Sequence, residues 1–254
     1  MSDSVLIEDR GPVRIITINR PEVRNAINRA TSEGLAAAMR DLDERADLTV
    51  AILTGAGGGF SAGMDLKAFG RGEDPHVEPG GFGGFTQKPP AKPLIAAVEG
   101  FALAGGFELA LACDLIVAAE DSRFGIPEVS RGLVAAAGGL LRLPVRIPRN
   151  VAMEMALTGR PISAVRAHDM GLVNRLAPSG SALDVAIELA GEIIVNGPMA
   201  LAVSKRVIND SADWPDSEAW VRQHEYVVAI ESSADAREGA LAFVEKRTPV
   251  WTGH

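Results

Sequence analysis

Two glutamates in unusual sequence positions are the residues best suited to chemistry. Glu108 lies inside the apolar run of residues 104–113, and Glu128 follows the sharp turn of residues 124–127. A glutamate is seldom buried without a partner or a task, because an unpaired carboxylate is costly to remove from water and its pKa rises until it neutralises. Two such carboxylates beside one pocket would serve as a general acid and a general base.

Both glutamates also have ordinary structural interpretations. Glu108 could form a buried ion pair with an arginine such as Arg123 or Arg131, which would compensate the buried charge. Glu128 follows Pro127 and could be a solvated surface acid or a residue at the start of a helix. The residues alone leave these alternatives open.

Two predicted helix starts could donate hydrogen bonds to an anionic oxygen. Residues 65–67 resemble the opening of a helix, which would point the backbone amide of Met64 outward. Residues 103–106 open a second helix directly after a strand, and they free the amide of Gly105 in the same way. Two amides converging on one carbonyl would form an oxyanion hole, often worth roughly 3–4 kcal/mol per donor in the transition state. Glu108 lies three residues after Gly105 and therefore on the same helical face.

A competing hydrolase motif is present at residues 59–63, where Ser61 occupies the centre of a G-x-S-x-G pattern. A nucleophile elbow needs its serine on a sharp turn directly after a strand. Here the predicted strand ends at Thr54 and a glycine run intervenes, and none of the four histidines (His76, His168, His224 and His254) is an obvious base. We therefore interpret the small residues as a site of close backbone packing.

Composition restricts the class of protein. The chain has 254 residues, 47% of them hydrophobic, and a net charge of −8, which argues against nucleic-acid partners. A single cysteine, Cys113, indicates a reducing compartment, and we find neither a signal peptide nor an apolar run long enough to span a membrane. No cluster of residues has metal-ligand spacing, so we predict no metal. A soluble cytoplasmic protein is expected.

Strands and helices alternate through the first half of the chain, which predicts an α/β fold with a mainly parallel sheet. The last third of the chain has helical periodicity. Proposed elements are a helix over 31–45 with Thr31 as N-cap, a glycine- and proline-rich loop over 70–93, and strands over 13–19, 49–54, 94–98 and 114–118.

Taken together, the sequence resembles the enoyl-CoA hydratase/isomerase, or crotonase, superfamily over nearly the whole chain. The matching motifs are NRP at 19–21 with NA at 25–26, LTG at 53–55, FSAGMD at 60–65, AVEGFALAGGFE at 97–108, FGIPE at 124–128, AGG at 137–139, LTG at 157–159 and FVEKR at 243–247. The resemblance implies a crotonase-like ββα spiral core (1–195) and a C-terminal helical trimerisation region (196–254). It also implies a homotrimer, or a hexamer built from two trimers, with an acyl-CoA thioester as substrate and no separate cofactor.

The resemblance assigns roles to individual residues. The amides of Met64 and Gly105 correspond to the family's oxyanion donors, and Glu108 and Glu128 to the acid/base pair of its hydratases. The coenzyme site would be lined by backbone around Ala26, Ala62, Asp65 and Leu66. It would also be contacted by two residues of a neighbouring subunit, Phe243 and Lys246.

Retention of both glutamates favours a hydratase over an isomerase, because isomerases of the family typically keep one acid. Ala104, Ile126 and residues 134–137 depart from the usual hydratase pattern beside the site. The run at 106–112 is also similar to carnitinyl-CoA dehydratases, which leaves a branched or polar acyl group open. A serine hydrolase and a non-catalytic binding protein remain as alternatives from other functional classes.

Overall fold

The computed structural model describes residues 4–254. The strands are β1 (Val5–Arg10), β2 (Val13–Ile18), β3 (Val50–Gly55), β4 (His76–Val77), β5 (Gly81–Phe82), β6 (Leu94–Val98), β7 (Phe101–Leu103), β8 (Leu115–Ala119), β9 (Arg123–Gly125), β10 (Ile162–Ser163) and β11 (Arg175–Ala177). The α-helices are α1 (Arg29–Glu44), α2 (Leu66–Phe69), α3 (Gly105–Ala112), α4 (Gly139–Arg146), α5 (Arg149–Thr158), α6 (Ala164–Asp169), α7 (Ala182–Ile194), α8 (Pro198–Asp210), α9 (Ala219–Glu231) and α10 (Ala234–Glu245). Three short 3-10 helices cover Pro21–Val23, Pro127–Arg131 and Ser211–Asp213.

The chain winds between two sheets. The larger sheet has the order β1-β2-β3-β6-β8-β11 and the smaller one the order β10-β9-β7. β6 leads directly into β7 and β8 into β9, so each of these two turns of the chain adds one strand to each sheet. All pairings in the larger sheet after β1 and β2 are parallel. The predicted ββα spiral and parallel sheet are therefore confirmed.

The central strands are covered on both sides, as their continuous apolar sequences predict. Every residue of β6 is buried, and helix α7 packs against one face of the sheet through Ala186, Leu189 and Ala190. The other face packs against a larger apolar cluster that includes Leu35, Phe107 and Phe124. This burial makes the sheet a rigid platform for the loops at its edge.

Two predictions about local structure need correction. Helix α1 begins at Arg29 rather than Thr31, because Asn28 is the N-cap and its side-chain oxygen accepts a 3.0 Å hydrogen bond from the amide of Thr31. The region 70–93, predicted as a loop, contains the short antiparallel hairpin of β4 and β5. Gly83 and Gly84, directly after β5, allow the chain to lie close to α3 and α1, because a Cβ on them would be 2.4 Å from Leu109 and 2.5 Å from the carbonyl oxygen of Ser32.

The last helices extend from the core and keep apolar side chains exposed. Neither α8 nor α9 has a buried residue, and Trp220 and Phe243 are 80% and 86% exposed. The break between α7 and α8 falls near the domain boundary that we predict, and the division into 1–195 and 196–254 stays a prediction. Within residues 4–254, no single helix is long and apolar enough to cross a membrane, although α7 and the segment Pro198–Asp213, bent by 106°, satisfy that criterion as a pair.

Backbone strain is concentrated where β7 turns into α3. Ala104, the N-cap of α3, has φ 51° and ψ −132°, a conformation that favours glycine because the Cβ of other residues clashes with the backbone. The strained peptide directly precedes Gly105. Its position shows that the turn into α3 is determined by packing rather than by the local preference of alanine.

Replacement Ala104→Gly should therefore stabilise the fold. We expect the free energy of unfolding to rise by about 1 kcal/mol, because relief of strain outweighs the added chain entropy of glycine. Chemical denaturation measures the change. Ala110→Gly, in the interior of the same buried helix, is the control and should destabilise by about 1 kcal/mol or more. An Ala104→Gly protein that loses stability like the control would contradict the assignment of strain.

Candidate active site

The Glu108 side chain is held by the backbone at the start of α4. All eight residues of α3 are buried, and Glu108 is only 3% exposed. Its Oε1 atom accepts hydrogen bonds from the amides of Ala137 at 2.7 Å and Gly139 at 2.8 Å. Among residues 4–254 it has no ion pair. The alternative of a buried pair with Arg123 or Arg131 is therefore wrong.

Burial and hydrogen bonding act in opposite directions on the acidity of Glu108. Burial raises its pKa, while the amides of Gly139 and Ala137 and the positive charges of Arg142 and His76 lower it in part. The amides also determine the orientation of the carboxylate, because both donate to the same oxygen. The second oxygen, Oε2, has no hydrogen bond from the described residues.

Glu128 occupies a different environment on another element. It lies in the 3-10 helix Pro127–Arg131, and its Oε2 atom is buried without a hydrogen-bond partner in the described part of the chain. Burial, with a further contribution from the charge of Glu108, raises the pKa of Glu128 to about 7. The alternative of a solvated surface acid is wrong. Glu128 is instead a carboxylic acid that can hold a proton near neutral pH.

The two segments that carry the backbone amides predicted to bind an anionic oxygen lie in contact. A Cβ added to Gly63 would lie 2.8 Å from the amide nitrogen of Gly105, so the segment before Met64 is in contact with the start of α3. Neighbouring amides already have acceptors: the amide of Leu103 donates to the backbone carbonyl of Ser61, and the amide of Asp65 donates to the backbone carbonyl of Ile27. The amides of Met64 and Gly105 donate to no acceptor within residues 4–254. Both therefore remain available to donate to a bound ligand.

The predicted coenzyme residues on the first half of the chain form one cluster. The Arg20 guanidinium donates to the carbonyl of Ala26 and, at 2.9 Å, to the carboxylate of Asp65. Asp65 also caps α2 by accepting from the amides of Lys67 and Ala68. Two further members complete the cluster, the partly buried Ala62, whose amide donates to the carbonyl of Arg24, and the 48% exposed Leu66.

The two predicted coenzyme residues near the C-terminus lie at the end of the last helix. Phe243 is in the last turn of α10, and Lys246 is the left-handed residue that ends this helix. Both are exposed. Their predicted contact with the site of a neighbouring subunit stays a prediction.

Ser61 cannot act as an accessible nucleophile in this conformation. Its side chain is fully buried, its hydroxyl donates to the carbonyl of Asn25 at 2.8 Å, and the same oxygen accepts from the amide of Gly63 at 3.1 Å. A Cβ on Gly106 would lie 2.2 Å from the carbonyl oxygen of Ser61. The glycine-rich motif thus serves close packing of the backbone, as predicted.

A largely apolar cavity of about 390 Å³ opens beside Glu128. Arg149 is the other charged residue in its wall, and no aromatic side chain lines it. The remaining lining residues are Ile126, Val129, Val134, Ala135, Leu140, Leu143, Pro144, Ala152, Met153, Ala156 and Leu157. The cavity could receive an apolar group attached to a reacting centre near Glu128. In the part of the chain that the structure describes, no three His, Cys, Asp or Glu side chains are grouped to bind a metal ion.

Sequence reasoning did not assign functional roles to the donors that hold Glu108. Ala137 and Gly139 belong to a recognisable glycine motif before a helix, but nothing in their spacing pairs them with a carboxylate about thirty residues earlier. Arg20 and Arg142 were also not singled out. The glycine pair at 138–139 is the available signal, since it indicates a helix start close to another chain segment.

Comparison with known proteins agrees with the fold. The enoyl-CoA hydratase/isomerase family model matches residues 8–254. An enoyl-CoA hydratase structure from Mycobacterium tuberculosis H37Rv is 60% identical, covers 100% of both chains and has a TM-score of 0.98. Carnitinyl-CoA dehydratase of Salmonella typhi is 42% identical over 100% of both sequences, and the structure of a carnitinyl-CoA dehydratase from Mycobacterium avium 104 is 44% identical over 100% of both chains, with a TM-score of 0.80. The chain belongs to the enoyl-CoA hydratase/isomerase family.

Proposed function

We propose that the protein is an enoyl-CoA hydratase, which adds water across the 2,3 double bond of a 2-enoyl-CoA thioester. The observation that carries this proposal is the placement of two carboxyl groups in contrasting environments, Glu108 held by two amides and Glu128 with an unpartnered buried oxygen. An isomerase moves one proton and needs one acid/base group, whereas hydration needs both activation of water and protonation of carbon.

In the proposed reaction, the thioester carbonyl accepts hydrogen bonds from the amides of Met64 and Gly105. These donors stabilise the enolate that forms when water attacks C3. Glu108 accepts a proton from the attacking water, and the remaining hydroxyl bonds to C3. Glu128 transfers its proton to C2 as the enolate returns to the thioester. Exchange with solvent then restores the initial protonation of both carboxyl groups, and the reverse sequence dehydrates a 3-hydroxyacyl-CoA.

The environments of the two glutamates support this division of roles. Hydrogen bonds from Ala137 and Gly139 favour the ionised form of Glu108, which a base requires. Glu128 lacks a comparable donor to its buried oxygen, and its pKa near 7 lets it carry the proton that an acid must deliver. The charge of Glu108 itself contributes to that pKa.

A carnitinyl-CoA type of dehydration is the second candidate, because relatives of that name are similar to the chain over its full length. The same pair of glutamates could catalyse either reaction. The cavity beside Glu128 favours an uncharged hydrocarbon acyl group, since a trimethylammonium group is typically recognised by aromatic faces and this wall has none. The cationic side chain of Arg149 in the wall also disfavours a positively charged acyl group.

We also propose a homotrimer, or a hexamer built from two trimers, in which the C-terminal helices meet neighbouring subunits. The exposed apolar side chains of Trp220, Phe243 and Val244, between 76% and 86% exposed, support this assembly. In it, Phe243 and Lys246 would complete the coenzyme site of the adjacent subunit. The coenzyme belongs to the substrate, and no further cofactor is proposed.

Replacement of either glutamate should abolish most of the turnover. We expect Glu108→Gln and Glu128→Gln each to lower kcat with crotonyl-CoA by about 10²–10⁴-fold, because each removes one proton-transfer group. Loss of the absorbance of the conjugated thioester measures the rate. Glu120→Gln, on the exposed turn after β8, is the matched control and should retain full activity. Undiminished turnover in the double variant Glu108→Gln/Glu128→Gln would exclude the proposed mechanism.

Stability should depend on pH through Glu128. Its folded-state pKa of about 7 lies above the ordinary value of 4.5, so the folded protein binds the extra proton and its contribution to stability declines as pH rises between these values. Allowing for partial exposure, the decline is roughly 1–2 kcal/mol. Denaturation midpoints at pH 5 and pH 8 should therefore differ less in Glu128→Gln than in the unmodified protein. An equal difference in both proteins would contradict the assignment.

Acyl preference should follow the cavity. We expect kcat/KM to be at least about tenfold higher for crotonyl- and 2-octenoyl-CoA than for crotonobetainyl-CoA, which carries a trimethylammonium group. Ala156→Phe should narrow the cavity and lower kcat/KM for the octenoyl substrate by about tenfold, with about twofold or less change for crotonyl-CoA. Val165→Phe, on α6 and outside the cavity wall, is the control. Preference for the cationic substrate would instead support the carnitinyl type of reaction.

A further inference from the structure

Arg142 is a half-buried cation whose side chain has no carboxylate partner. It lies within α4, and among residues 4–254 no carboxylate oxygen is within 4.0 Å of its guanidinium. Burial lowers its pKa and the charge of Arg146 lowers it further, while the charge of Glu108 acts in the opposite direction. Burial of a charged side chain without an ion pair costs desolvation free energy, so a structural or catalytic reason for it is expected.

The guanidinium turns back over the first residues of its own helix. A Cβ added to Gly138 would lie 2.1 Å from Nη1 of Arg142, so the cation covers the backbone that precedes Gly139. This is the segment whose amides hold Glu108. A Cβ on Gly139 would lie 3.0 Å from both Cγ and Oε1 of Glu108, which shows how closely the carboxylate approaches the helix start. Arg142 thus lies against the backbone segment whose amides donate hydrogen bonds to Glu108.

The other end of the contact is the segment of residues 80–87, which contains β5 and the residues that follow it. Nη2 of Arg142 donates a hydrogen bond to the carbonyl of Thr86. Thr86 is buried, and its hydroxyl donates to the carbonyl of Phe82 at 2.9 Å. The ring of Phe82 lies over Gly105, since a Cβ there would be 2.6 Å from two ring atoms. The Arg142 side chain therefore links the segment 80–87, which lies beside Gly105, to the start of α4, whose amides bind the Glu108 carboxylate.

We propose that Arg142 is a positioning residue that fixes the Glu108 carboxylate by tying the start of α4 to the segment 80–87 and by placing a positive charge behind it. The proposal rests on the proposed function, because it treats Glu108 as the base. Three charged or titratable side chains act on this site: Arg142 from α4, His76 from β4 and Glu128 from the 3-10 helix. His76 is 45% exposed and hydrogen-bonded to Asp74, so Arg142 is the less solvated of the two basic side chains.

The test compares Arg142→Gln, Arg142→Met and Arg142→Lys as a function of pH. We expect the first two to lower kcat by about tenfold or more at pH 8 with KM changed by about twofold or less, because the base is misplaced while the substrate still binds. The deficit should grow by about threefold or more between pH 8 and pH 5.5, since without the cation Glu108 protonates more readily. Arg142→Lys should show the same pH dependence of kcat as the unmodified protein, because lysine supplies the positive charge. It should recover only part of the value of kcat, because lysine lacks the planar set of donors of the guanidinium.

Arg146→Gln is the matched control. Arg146 is on the same helix, and its Nη2 atom also donates to a backbone carbonyl, that of Cys113 at 2.9 Å. It makes no hydrogen bond to the segment 80–87. We expect this variant to lower the thermal midpoint without a pH-dependent loss of kcat. A pH-independent deficit in Arg142→Gln, or the same pH-dependent deficit in Arg146→Gln, would overturn the proposal, because either result is that of general loosening of α4.

A second measurement separates this proposal from the proposed function. If the unmodified protein hydrates no enoyl-CoA, the proposed function fails, but the role of Arg142 can still be measured by ¹³C NMR of labelled glutamate carboxyls. The Glu108 resonance is identified as the one missing in Glu108→Gln. It should titrate at higher pH in Arg142→Gln than in the unmodified protein. Identical titrations in the two folded proteins would overturn the proposal.

Discussion

Anchoring of a buried carboxylate by two backbone amides is the interaction on which this site depends. All residues of the helix that carries Glu108 are buried, and Glu108 is only 3% exposed, so its carboxylate is largely removed from bulk water. The amides of Ala137 and Gly139 replace part of that hydration and make the start of α4 part of the site. Loss of either donor would leave a buried charge partly unsatisfied, which couples the geometry of α3 to that of α4.

Close contact between backbone segments is the second requirement. Met64 and Gly105 come from different turns of the spiral, and the segments that carry them approach closely because Gly63 and Gly106 have no Cβ to keep them apart. Ala104 adopts a strained conformation at the same junction. The cost of this strain is offset by the surrounding packing, which orients the amide of Gly105 away from any acceptor in the described chain.

Two carboxyl groups of the same type acquire different properties from their surroundings. Hydrogen bonds oppose the effect of burial at Glu108, whereas one oxygen of Glu128 has none and faces the charge of its neighbour. The apolar cavity next to Glu128 extends this contrast, because it offers volume but few polar partners. The proposed acid/base chemistry and the proposed acyl preference thus both depend on the same elements, the 3-10 helix Pro127–Arg131 with α4 and α5.

The sequence by itself determined the class of fold, the positions of the main strands and helices, and the residues worth testing. Apolar runs and alternating elements are local patterns, and Glu108 stands out locally because its helix is otherwise apolar. Only the tertiary structure decided between an ion pair and an amide anchor for Glu108, placed Glu128 beside a cavity, and brought Arg142 to Thr86. These choices depend on contacts between residues about 30 to 60 positions apart, which the packing of the spiral creates and which no local spacing encodes.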